Sequence, residues 1–139
     1  MLRISKTLFS TLTNFNRFTY HTINDQIKLT DFCIQEIKRK QTTKFTNKFL
    51  RLGVDGAQGC SGFKYSFNFD DQVLEDDYVL KIQNEIIFVV DEITLKFVNG
   101  CIIDYENKMI RAAFYVQENP NAEKSCSCKA SFAPKPELL

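Results

Sequence analysis

The stretch Phe63-Lys64-Tyr65-Ser66-Phe67-Asn68-Phe69 alternates an aromatic ring with a polar side chain at every step. Successive side chains of a strand point to opposite faces, so this pattern predicts a β-strand with one aromatic face on a core and one polar face on solvent. Thirteen phenylalanines and no tryptophan suit a compact β-rich core better than a helical bundle. With 139 residues, 44% hydrophobic and 25% charged, the chain has the composition of one globular domain large enough to bury a real core.

Working outward, Gly56-Ala57-Gln58-Gly59-Cys60-Ser61-Gly62 precedes the strand as a glycine-rich loop, and Phe49 to Val54 reads as the strand before it. Further upstream, Thr30 to about Gln41 predicts a helix. Thr30 can cap it, Asp31 suits the positive end of its dipole, and Lys38, Arg39 and Lys40 suit the other end. Cys33, Ile34 and Ile37 share one face of that helix, three and four residues apart, so Cys33 reads as a small core residue.

Downstream, the acidic segment Asp70 to Asp77 reads as a solvated connection. Tyr78 to Ile82 and Glu85 to Val90 predict a hairpin turning near Gln83-Asn84, and Asp91 caps a short helix through Phe97 that Asn99-Gly100 ends. Cys101 to Tyr105 and Met109 to Val116 predict a second hairpin around Glu106-Asn107-Lys108, with Cys101 a buried strand residue. Asn119-Pro120-Asn121 breaks the last strand. The remainder, to Leu139, reads as a polar, flexible tail carrying Cys126 and Cys128.

The charge is unevenly spread. Residues 1–24 hold Arg3, Lys6 and Arg17 and no acid, a charge of +3, whereas the rest sums to −2 and offers no basic footprint for nucleic acid. The same 24 residues are rich in Ser and Thr with bulky apolar residues interleaved, the pattern of a mitochondrial presequence. They lack the unbroken apolar core of a secretory signal, and no stretch of the chain reads as a transmembrane helix. Residues 25–139 are then the folded domain. In a reducing matrix five cysteines, an odd number, are free, metal-bound or catalytic rather than structural disulfides.

The single histidine, His21, falls in or beside the presequence, which removes His-based triads, Cys-His nucleophiles and His-containing metal sites. Glycines 53, 56, 59 and 62 match neither a P-loop nor a dinucleotide fingerprint. The chain does not read as an enzyme. Thiolate chemistry remains, and soft sulfur ligands select iron–sulfur clusters, zinc or Cu(I). In an extended Cys126-Ser127-Cys128 the two thiols project to one side, about 6.6 Å apart along the backbone. Glycines beside Cys60 leave backbone N–H groups free to point at sulfur and let a cluster approach closely.

Gly59-Cys60-Ser61-Gly62-Phe63 with its strand, Asp104-Tyr105, Asn119-Pro120-Asn121 and Cys126-Ser127-Cys128 followed by Ser131-Phe132 resemble the A-type iron–sulfur carrier (HesB/IscA) family, over roughly Ile27 to Phe132. Leu50-Arg51-Leu52 and the Cys-Ser-Cys form are similar to its second mitochondrial branch. Two departures stand out: the loop before Cys60 is one residue longer, with Gln58 where glycine is common, and Lys129 replaces the glycine that generally follows the last cysteine.

The resemblance implies a mostly β (α+β) fold, a compact HesB-like β-sandwich with a flexible cysteine-bearing tail. It implies Cys60, Cys126 and Cys128 as ligands for an iron–sulfur cluster, [2Fe-2S] or [4Fe-4S], or for mononuclear iron. Implied partners are a second A-type carrier in a homodimer or heterodimer, a cluster donor of glutaredoxin or scaffold type, and apoproteins that receive the cluster. Neither nucleic acid nor membrane is implied. The implied role is maturation of mitochondrial [4Fe-4S] proteins. The other reading of the residues is a thiol redox protein cycling a Cys126/Cys128 disulfide.

Fusing residues 1–30 to a reporter tests the start of the chain. The reporter is expected in mitochondria, cleaved between about Thr19 and Ile27, as an acid-free presequence requires. A reporter that stays in the cytosol contradicts this.

Overall fold

A computed structural model describes residues 20–23, 26–56, 62–125, 127 and 129–139, the first four through their backbone. In chain order these residues form β1 (Tyr20–Ile23), β2 (Ile27–Thr30), α1 (Asp31–Thr43), β3 (Phe49–Gly56), β4 (Phe63–Asp70), β5 (Asp77–Ile82), β6 (Glu85–Asp91), α2 (Glu92–Val98), β7 (Ile102–Lys108), β8 (Arg111–Glu118), β9 (Ala122–Ser125) and β10 (Ser131–Pro134). The strands make two sheets, ordered β1-β2-β7-β8 and β5-β6-β3-β4-β10-β9. The expected α+β class, dominated by strands with two helices, holds. β1 falls within the stretch assigned to the presequence and pairs antiparallel with β2, Tyr20 opposite Thr30 and Ile23 opposite Ile27.

Both sheets feed one core. Ile27, Leu29, Ile103 and Val116 come from the first, and Leu50, Leu52, Phe88 and Phe132 from the second. Ile87, Phe88, Val89 and Val90 are all fully buried. β6 lies inside its sheet, between β5 and β3, and both helices contact it, which is why it reads as an unbroken apolar run. α1 starts as its sequence dictates: the Thr30 hydroxyl accepts from the Cys33 amide at 3.2 Å, and Cys33, Ile34 and Ile37 are buried. At its far end the Gln41 side chain donates to the carbonyls of Lys48 (2.7 Å) and Ile86 (3.0 Å), fastening helix to sheet. Asp91 caps α2 through the Thr94 amide, and Gln83 and Asn84, both with positive φ, turn the β5–β6 hairpin.

Three expectations need correction. First, the tail is not a flexible appendage. Residues 122–125 and 131–134 pair as an antiparallel hairpin on the edge of β4, with Phe132 only 3% exposed. One large aromatic among short polar residues is enough to dock the segment, because its ring stacks on Tyr65 at 4.5 Å and 12°. Second, the β7–β8 hairpin turns at Met109-Ile110, not around Glu106-Asn107-Lys108. Glu106, Asn107 and Lys108 are ladder residues opposite Ala113, Ala112 and Arg111. Polar residues can occupy this stretch of ladder because Asn107 and Lys108 are exposed.

Third, the acidic connection is not solvated throughout. The Asp77 side chain is fully buried in a two-point bond with the Arg51 guanidinium, at 2.9 and 2.7 Å, and also accepts from the Leu74 amide. Arg51 further donates to Asp70 at 2.8 Å and to the Gln72 carbonyl at 2.6 Å. The segment is thereby pinned to β3. The Arg51 hydrogen bonds hold the Asp77 carboxyl below its ordinary value, outweighing the burial that raises it.

A carboxyl whose folded value is depressed binds fewer protons folded than unfolded, so its contribution is complete above the unfolded value of about 3.9 and fades as pH falls through the folded one. Asp77→Asn is expected to lose about 3 kcal/mol at pH 7, as breaking a buried pair does. The gap to wild type is expected to shrink below about pH 4, where the wild-type carboxyl also takes its proton. Denaturant titrations at pH 7 and pH 3 check both; equal stability at pH 7 contradicts the clamp.

Candidate functional site

The five cysteines divide by environment. Cys33, on the core face of α1, and Cys101, immediately before β7, are both 0% exposed. Burial pushes the Cys33 thiol far up, with the Asp104 carboxylate adding to it, and burial pushes Cys101 up to about 12. Neither is a thiolate at neutral pH, and neither can reach a ligand without opening the core. Cys60, Cys126 and Cys128 lie outside the described residues. Their flanks are described: Gly56 and Gly62 bracket the first, and Ser125, Ser127 and Lys129 surround the other two.

Sixty-five residues separate Cys60 from Cys126, yet the fold brings these flanks into one row. Phe63, at the start of β4, lies opposite Phe132 on β10, which lies opposite Ser125 at the end of β9. Two strand spacings put Phe63 and Ser125 about 10 Å apart across the sheet. The approach is close: a Cβ on Gly62 would sit 3.1 Å from the Phe132 carbonyl oxygen, so a side chain there would press on the β10 backbone. The Tyr65 amide donates to the Ala130 carbonyl at 2.9 Å, extending the pairing toward the cysteine-bearing turn.

The Asn119-Pro120-Asn121 corner holds this hairpin in place, a role beyond the strand break read from its sequence. Asn119 donates to the Tyr65 hydroxyl at 2.8 Å and to the Phe97 carbonyl at 3.0 Å, and its own oxygen accepts from the Asn121 amide. Asn121 donates to the Asn99 carbonyl at 2.6 Å. Pro120 packs against Gly100, whose φ of +81° and whose Cβ position, 2.9 Å from the proline ring, both demand glycine. The corner thus ties β4, the end of α2 and the start of β9 together.

Lys129 takes φ +55°, the left-handed conformation that glycine adopts freely. The turn therefore has a glycine geometry with a lysine in it, at a cost of roughly 1 kcal/mol. Its ammonium sits 5.2 Å from the centre of the Tyr115 ring. Tyr115 in turn donates to Asp104 at 3.3 Å, and Asp104 accepts the Thr30 hydroxyl at 2.5 Å. Asp104 thereby links the turn beside Cys128 to the cap of α1.

Two cavities border Ser127. One of about 120 Å³ is lined by Tyr65, Asn119, Ser125, Ser127, Lys129 and Ser131 among others, hydrogen-bonding side chains with no carboxylate. The other, about 330 Å³, adds Glu106, Lys108, Arg111 and Tyr115. Among the described residues no group of three or more His, Cys, Asp or Glu side chains could hold a metal ion. What the described residues place around these three sequence positions, a glycine at the close approach of the strands and hydrogen-bonding side chains behind the turn, suits a soft, anionic inorganic guest.

Residues 26–130 match the protein family described as iron-sulphur cluster biosynthesis. A protein of Dictyostelium discoideum named iron-sulfur cluster assembly 2 homolog, mitochondrial, is 44% identical over 110 residues, covering 78% of this chain. This chain spans about half (52%) of that protein's length. The Mus musculus protein of the same name is 43% identical over 110 residues, 79% of this chain and 68% of its own. Among solved structures, the crystal structure of IscA with the [2Fe-2S] cluster matches at a TM-score of 0.61 and 25% identity, over 78% of this chain and 97% of that one. Fold and sequence agree, and the chain belongs to the iron-sulphur cluster biosynthesis (HesB/IscA) family.

Proposed function

We propose that this protein is a carrier, not an enzyme: it accepts an iron–sulfur cluster or iron as cargo on the thiolates of Cys60, Cys126 and Cys128 and passes it to apoproteins. The observation that carries this is the row Phe63–Phe132–Ser125, which joins the flanks of three cysteines far apart in sequence while Cys33 and Cys101 stay sealed in the core. The [2Fe-2S] cluster of the similar IscA crystal structure supports the cargo, and the relatives named mitochondrial support the presequence reading. Maturation of mitochondrial [4Fe-4S] proteins is the role we assign. Because β1 begins at Tyr20 and pairs with β2, we narrow the cleavage window of Thr19 to Ile27 to its near edge, just before Tyr20.

A cluster takes four thiolates, and this chain has three to give. The fourth comes from a second protomer, so one cluster is shared between chains. A site completed only by assembly can be dismantled, which suits delivery better than retention.

Anaerobic reconstitution with iron and sulfide, read by visible absorption and by metal and sulfide analysis, tests the ligand set. Losing even an outer-shell partner of a metal ligand costs about 10–100-fold in affinity, so Cys60→Ser, Cys126→Ser and Cys128→Ser are each expected to lose at least about tenfold. Cys33→Ala and Cys101→Ala are expected to keep the chromophore and to lose about 1 kcal/mol of stability each. A colourless wild type with a Cys126–Cys128 disulfide would support the redox reading instead, although so tight a ring is strained. A Cys33→Ala variant without cluster contradicts the assignment.

A further inference from the structure

Residues 126–130 join β9 to β10, and both ends of this join are fixed. Ser125 lies opposite Phe132, and the Ala130 carbonyl accepts the Tyr65 amide at 2.9 Å. Inside it stands Lys129 at a φ of +55°. At such a φ the Cβ crowds the following carbonyl, so a lysine left to itself favours the ordinary backbone regions. A turn that needs this conformation usually takes glycine. Here something else has to hold it.

The contact that offsets the crowding comes from the other sheet. The Lys129 ammonium rests 5.2 Å from the centre of the Tyr115 ring, on β8. Tyr115 is half-buried and lies opposite Asp104 on β7. It donates to that carboxylate at 3.3 Å, and Asp104 also accepts the Thr30 hydroxyl and the Tyr105 amide. The ring is thus fixed by the sheet that carries β2, β7 and β8, whereas β9 and β10 belong to the other one. Glu106, the carboxylate bordering the same cavity, is ion-paired with Lys108, and Lys129 adds only a smaller attraction to it. The ring is the group on which the Lys129 ammonium sits.

The crowding of a lysine at positive φ and the attraction of an exposed cation–π contact are of similar size. The turn is therefore balanced, and removing the ring tips it away from the geometry that glycine would keep.

We propose that Tyr115 is a positioning residue for the cargo-binding turn: its ring, acting through Lys129, holds the backbone next in sequence to Cys128 in the conformation that glycine would adopt unaided. Resting on the carrier reading, this makes retention of the cluster depend on a side chain of the opposite sheet. It also accounts for a lysine at this position.

The test follows cluster loss to an iron chelator by visible absorption, using the full chain loaded anaerobically with iron and sulfide. Tyr115→Leu is expected to lose cluster about threefold to fivefold faster than wild type, the worth of an exposed cation–π contact. Lys129→Met, a change at an exposed side chain that leaves Tyr115 in place, is expected to do the same. Tyr115→Phe keeps the ring and is expected to stay near wild type. Lys129→Gly is also expected near wild type, and adding Tyr115→Leu to it is expected to change nothing, because glycine holds the turn without help. An unchanged rate in Tyr115→Leu overturns the proposal. So does a loss that persists at full size when Lys129 is glycine, since Tyr115 would then act on the fold at large. A wild type that takes up no cluster defeats the carrier reading by itself. The turn is then judged on the apo protein by nitrogen-15 relaxation: backbone order at residues 127 and 129 must fall in Tyr115→Leu and hold in Tyr115→Phe, and equal order in wild type and both variants overturns the proposal.

Discussion

The stacking of Phe132 on Tyr65 is the contact on which the arrangement depends. It docks β10 on β4, and through β10 it brings β9 and the cysteine-bearing turn to the strand that follows Cys60. Phe63 extends the stack to Phe97 of α2 at 5.1 Å, so the aromatic face of β4 serves core and site together. Around it, Asn119 bonds the Tyr65 hydroxyl and the last turn of α2, Asn121 holds the connection after α2, and Pro120 fills the space a side chain at Gly100 would need. Aromatic burial supplies the driving force, and directional hydrogen bonds supply the position.

Much of this was legible in the chain because it rests on local rules. The alternation of β4, the Thr30 and Asp91 caps, the Gln83-Asn84 turn and the burial of Cys33 follow from side-chain direction and backbone preference within a few residues. What escaped depends on partners distant in sequence. Nothing near Asp77 announces Arg51, 26 residues before it, and nothing near Phe132 announces Tyr65. The turn at Met109-Ile110 escaped for a different reason: turn chemistry favours Glu-Asn-Lys, but the ladder places an apolar pair at the tip.

The proposed ligands rest on the sequence alone, whereas the supports around them emerge only from the fold. Cysteine spacing and glycines marked the three thiols, because metal chemistry restricts residue types whatever the fold. The work of Asn119, Asn121 and Asp104 is carried by hydrogen bonds between segments roughly 20 to 75 residues apart, which leave no local pattern. Lys129 joins the two levels. Its φ of +55° keeps the turn that glycine would make, and its side chain crosses to Tyr115 and so to the Asp104–Thr30 link.

Arsenite tests directly whether three thiols from distant parts of the chain share one site, since trivalent arsenic bonds three thiolates in one pyramid and needs neither iron, sulfide nor a fourth ligand. Native apo protein would be incubated with one equivalent of arsenite, then alkylated and mapped by mass spectrometry. One arsenic per chain is expected, with Cys60, Cys126 and Cys128 all protected and all three alkylated in its absence. Protection of Cys126 and Cys128 with Cys60 still alkylated would contradict a shared site.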